Sequence, residues 1–167
     1  EMSVEDSLRT GGSMEVSLAR TILVEAFGAQ PGVLPDGTIV GSSPSDWPRV
    51  LTVIEEAGWH AVWTSNGRTV EVADFTDDAY VHESFAVRPT NRVTVNFFFG
   101  VGEITFDFDL RELVDQAAVD ALCSLLATVG NALNRQVDGM PEGQADTIVV
   151  RYLPRGHRFV INRIASA

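Results

Sequence analysis

Asp107 and Asp109 stand two residues apart in a run where Ile104, Phe106, Phe108 and Leu110 alternate with Glu103, Thr105, Asp107 and Asp109. Alternation with period two marks a strand buried on one side, and it sets the two carboxylates on one face about 7 Å apart, with Glu103 further along that face. Carboxylates so placed suit a hard cation, which takes oxygen ligands, or an acid/base pair in hydrolysis. The same spacing is what the wet side of any half-buried strand shows. No Asp-x-Asp-x-Asp-Gly calcium loop accompanies the pair, so a metal-dependent hydrolase using Asp107, Asp109 and a histidine stands third, behind two binding readings.

The other reactive residue types do not converge. His60, His82 and His157 lie on separate segments with neither His-x-x-x-His nor His-Glu-x-x-His spacing, and no metal site is expected from them. Cys123 is the single cysteine and falls inside a helical pattern, where a buried, inert thiol is the expectation. A Gly-x-Ser-x-Gly elbow is absent. The chain has twelve arginines and no lysine, which excludes Schiff-base, phosphate-loop and general-base lysines alike. Gly100-Val101-Gly102 sits between two extended runs, so it reads as a hairpin turn and not as a nucleotide loop. The expectation is a protein without cofactor and without catalysis.

Charge narrows the partners. The net charge is −11, yet Arg151, Arg155, Arg158 and Arg163 give residues 147 to 167 a charge of +4, which leaves −15 on residues 1 to 146. Such a field repels phosphate backbones and suits a cationic partner. The four arginines could in turn pair with carboxylates, which guanidinium grips bidentately, or simply protect an edge hairpin from aggregation. Trp63 is the aromatic to test as an exposed binding residue, against the plainer reading of Trp47, Trp59 and Trp63 as core anchors. Between Asp74 and Pro89, Asp74, Asp77, Asp78 and Glu83 surround Phe75, Tyr80, His82 and Phe85, which fits a recognition loop or an irregular extra strand.

These residues need elements to hold them. Thr21 to Phe27 reads equally as a strand or as the end of a helix. Asp36-Gly37 predicts a turn before a short extended piece, Thr38 to Val40. Ser45-Asp46 and Pro48 predict a helix from Trp47 to Ala57 stopped by Gly58, with Trp47, Val50, Leu51, Ile54 and Ala57 as its apolar stripe. Asn66-Gly67 predicts a hairpin between residues 59–64 and 68–73, and a second hairpin joins 92–99 to 103–110. Asp115 predicts the start of the longest helix, Gln116 to about Arg135, with Val119, Leu122, Leu126, Val129 and Leu133 facing the core. A polar loop containing Gly139 should follow, and then a last hairpin, 147–153 with 158–164.

At 167 residues and 45% hydrophobic content the chain suits one α+β domain: a mainly antiparallel sheet of five to seven strands with two main helices on one face. Arginine without lysine, beside abundant Ala, Val, Gly and Asp, reads as bacterial coding bias. No apolar run approaches the roughly 20 residues that cross a bilayer, so a cytoplasmic protein without membrane partner is expected. Thr10-Gly11-Gly12-Ser13-Met14 reads as a linker before a second start, making residues 1–13 a fused peptide or tag and residues 14–167 the domain. Val4 and Leu8, at i and i+4 beside Glu5 and Asp6, give that peptide one apolar edge. The first reading is therefore a protein-binding module, adaptor or chaperone-like, that captures a short peptide such as residues 1–10. The second is an acidic immunity-type inhibitor of a cationic toxin.

Overall fold

The computed structural model describes residues 17–28, 33–65, 68–71 and 84–162. Among these residues three helices, α1 (Arg20–Gly28), α2 (Trp47–Ala57) and α3 (Gln116–Leu133), accompany nine strands. The strands are β1 (Asp36–Ile39), β2 (His60–Ser65), β3 (Arg68–Glu71), β4 (Ser84–Thr90), β5 (Val93–Phe98), β6 (Thr105–Phe108), β7 (Val137–Met140), β8 (Val150–Leu153) and β9 (Arg158–Ile161). They form one sheet in the order β3-β2-β4-β5-β6-β1-β7-β8-β9. Every neighbouring pair is antiparallel. The fold is thus α+β with an antiparallel sheet, as the alternation implied, but with nine strands in place of five to seven and a third helix.

The extra strands come from segments whose patterns mislead. Asp36-Gly37 is not a turn: both residues belong to β1, where Gly37 faces Phe106 on one side and Gly139 on the other. The Phe106 ring lies over Gly37 in the space that a Cβ would take. Gly139, expected in a loop, is the matching position of β7, with Val150 Cγ1 2.6 Å and the Phe27 ring 3.4 Å from where its Cβ would stand. A strand whose inward position is glycine shows no period-two signal, because a neighbour's side chain fills the slot. Ser84 to Thr90, at the end of the acidic and aromatic stretch, is the strand β4, burying Phe85 and Val87. Its pairing with β5 shifts register between Val87 and Thr90, so the stretch ends in the irregular extra strand that was one of its two readings.

Helix α2 runs over the predicted residues and ends at Gly58, whose φ of 72° is the left-handed cap that glycine adopts without strain. Its buried face is Trp47, Val50, Val53 and Ile54, so Val53 replaces Ala57, which is exposed. Helix α3 begins where Asp115 accepts a hydrogen bond from the Ala118 amide at 2.9 Å, satisfying one of the orphan donors of a first turn. With 18 residues and a mean hydropathy of 1.3, α3 is long and apolar enough to cross a membrane, but half of it is buried inside the protein. Val119, Leu122, Leu125, Leu126 and Val129 belong to the same core as the inward strand residues.

That core is one aromatic layer between sheet and helices. Trp47 meets Phe85, Phe97 and Phe99 at ring separations of 6.3, 6.2 and 4.2 Å, and Phe27 of α1 meets Phe108 edge-on at 5.8 Å. Edge-to-face rings add roughly 0.5–1.5 kcal/mol per pair beyond the area they bury. Gln116 fastens α1 to α3: its Nε2 donates to Leu18 O and its Oε1 accepts from the Arg20 amide, both at 2.8 Å. On the opposite face, Ala86, Asn96, Asp107, Asp36 and Met140 stand opposite one another on β4, β5, β6, β1 and β7.

Candidate functional site

The acidic row is divided among structural tasks. Asp107 stays in β6 on the outward face, accepting from Asn96 Nδ2 at 2.9 Å. Its direct cross-strand neighbour is Asp36, which accepts from the Gly143 amide at 2.9 Å. Asp109 lies past the end of β6, outside the strand that was to align it with Asp107. There it caps a short 3-10 turn, accepting from the Arg111 amide at 2.9 Å and pairing with Arg111 Nη2 at 2.8 Å. The Arg111 side-chain hydrogen bonds hold the Asp109 carboxyl below its ordinary range. Glu103 also lies outside β6 and accepts from the Gly41 amide. Among the described residues no three His, Cys, Asp or Glu side chains gather into a metal-binding group.

Cys123 is buried in α3, and burial pushes its thiol from 9.0 up to about 11. So raised, the thiol holds very little thiolate near neutral pH, and thiolate is the reactive form. The native protein should therefore ignore an aromatic disulfide reagent over minutes and react stoichiometrically once unfolded in urea. Prompt native labelling of Cys123 would contradict the burial.

Trp63 is a core side chain, 4% exposed and opposite Phe85, and not the exposed aromatic that its place near a strand end suggested. The arginines fall into two kinds. Arg151 forks onto Asp138 (Nε–Oδ1 2.9 Å, Nη2–Oδ2 3.2 Å), and Gln136 Nε2 donates to the same carboxylate at 3.0 and 3.2 Å. Asp138 is buried and Arg151 half-buried, so this is an internal pair on the outward face. Arg155, in the β8–β9 turn, and Arg158, on β9, are exposed, and neither has an ion pair among the described residues. Phe159, Val160 and Ile161 beside them are half-buried on the strand that ends the sheet among the described residues. Asp77, Asp78, Arg163, Val4, Glu5, Asp6 and Leu8 lie outside the described residues, as does His82.

Two histidines are placed. His157 sits in the same turn with φ at 48°, its Nδ1 3.2 Å from Asn131 Oδ1, which also accepts from the buried Tyr152 hydroxyl at 2.6 Å. His60 opens β2 directly opposite Arg88 of β4. Together with Gly58, Trp59, Pro89, Thr90 and Asn91 they line a cleft of about 300 Å³ open to solvent. Sequence reasoning missed this cleft, because the register that joins His60 to Arg88 exists only once Ser84–Thr90 is a strand. The sequence matches no protein-family model and no curated protein.

Proposed function

We propose that the protein is a non-catalytic protein-binding module that takes a short acidic and apolar peptide as an added strand along β9. The supporting observation is the edge itself: half-buried Phe159, Val160 and Ile161 flanked by Arg155 and Arg158, which are exposed and unpaired among the described residues. An edge strand offers a row of free amides and carbonyls, and added strands draw affinity from those while flanking side chains set the choice of partner. Guanidinium beside the edge selects carboxylates. Residues 1–10, with Glu1, Glu5 and Asp6 around Val4 and Leu8, carry the complementary chemistry.

The test is calorimetric titration of a synthetic Glu1–Thr10 peptide into a chain lacking residues 1–13. Saturable heat that weakens with salt, and a fit at least ~tenfold weaker in the R155E/R158E double variant, is the expected result. Absence of heat, or binding indifferent to both charge reversals, refutes the reading. Absence of heat would bring forward the inhibitor of a cationic toxin, which one observation favours. Asp36 and Asp107 stand side by side on the outward face, where a cationic surface would relieve their mutual repulsion.

A further inference from the structure

The cleft between the end of α2 and the β4–β5 turn has a chemistry of its own. Gly58 turns the chain out of α2, and Trp59, half-buried against the core, also lines the cleft. The next residue, His60, is the direct cross-strand partner of Arg88, so the two side chains leave the same face of the sheet about 5 Å apart at their Cβ atoms. Both are exposed, and neither has a hydrogen bond or ion pair among the described residues. Arg92, in the turn itself, shows the contrast: its Nη1 reaches Asp115 at 3.1 Å. Among the described residues no acidic side chain lines this cleft.

Two basic side chains in direct cross-strand register gain nothing from each other, and an anion between them would satisfy both. The last carbonyls of α2 bring a partial negative charge of about half a unit to the same end, which is outweighed by one full guanidinium. A cleft of about 300 Å³ lies at the small end of ligand sites, room for one ring with a short head group. Asn91 and Thr90 add neutral polar groups to the lining, Thr90 Oγ1 already accepting from the Arg92 amide at 3.3 Å.

We propose that this cleft binds a small aromatic carboxylate, its carboxylate held by Arg88 and His60 and its ring laid against Trp59. The inference is independent of peptide capture at β9, which lies at the far end of the sheet. The test is titration of the full chain with sodium benzoate, followed through the Trp59 indole and His60 imidazole resonances. Acetate, a head without a ring, and benzyl alcohol, a ring without a charge, serve as comparisons. Saturable shifts of both resonances at millimolar benzoate are expected, with both comparisons weaker and Arg88→Gln raising the midpoint at least ~tenfold. Arg88 is exposed, so its replacement should leave the circular dichroism unchanged; His60→Gln, read through Trp59, is the second variant. No saturable shift with benzoate overturns the proposal, as do an unchanged midpoint in Arg88→Gln and acetate binding as tightly as benzoate.

Discussion

Gly37→Val should destabilise the protein by about 3 kcal/mol or more, measured as a fall in the urea midpoint at constant slope. The new side chain would start inside the space of the Phe106 ring. Neither partner can step aside cheaply. β1 is hydrogen-bonded on both sides, to β6 and to β7, so its backbone is fixed in the sheet. Phe106 is 1% exposed and packs on Phe97 at 5.5 Å, so its ring has no empty space to enter. Against a total stability of about 5–15 kcal/mol, such a loss raises the unfolded-to-folded ratio by roughly a hundredfold or more. Phe106→Ala alone should cost about 3–5 kcal/mol through the cavity it leaves. In the G37V/F106A double variant the valine occupies part of that cavity, so the two losses should sum to more than the double variant shows. Strict additivity would mean that the ring and the glycine do not share space.

The contact also explains which parts of the fold were legible in the chain. Helices α2 and α3 could be read because their apolar residues recur at helical spacing and their ends carry Gly58 and Asp115. The β5–β6 hairpin could be read because Phe106 and Phe108 alternate with Thr105 and Asp107. β1 could be read only in its second half, Thr38–Ile39, and β7 not at all: each has a glycine, Gly37 or Gly139, at one inward position, and the side chains that fill those positions come from Phe106 and Val150 on neighbouring strands. Of the candidate site, the exposed arginines of the last hairpin were visible as charges. Which of them is already paired depends on Asp138, in a strand that reads as loop. The His60–Arg88 cleft is invisible for the same reason, since it is made by register alone.

The second large effect separates those arginines. Arg151→Met should cost about 2–4 kcal/mol, because it strips the guanidinium from a carboxylate whose side chain is only 7% exposed. The lower part of that range reflects water reaching Arg151, whose side chain is 35% exposed. Gln136 would remain on Asp138, but a neutral amide does not offset a buried charge. Removing both charges in D138L/R151M should recover much of the loss, since apolar replacements of a buried pair are often neutral. Arg155→Met should change stability by less than about 0.5 kcal/mol, as exposed surface positions usually do. Chemical denaturation of the three variants decides it. Equal effects at Arg151 and Arg155 would remove the internal role given to Arg151, and no recovery in the double variant would remove the buried-charge account.

The place of β1 also dictates an order of events during synthesis. Strands β2 to β6 come from a nearly continuous stretch of chain, and β7 to β9 from another, with α3 between them. β1, which precedes all the other described strands in the chain, is the seam that joins these two blocks. Its ladder with β6 cannot close until Asp107 has emerged, nor its ladder with β7 until Met140 has. Until β6 emerges β1 thus lacks both of its described neighbours, and the two blocks become one sheet only after β7 has emerged. Pairings across such separations carry a high loop-closure cost and slow folding. They also leave a vacant slot between β6 and β7 that the β1 of another nascent copy would fit as well as the chain's own.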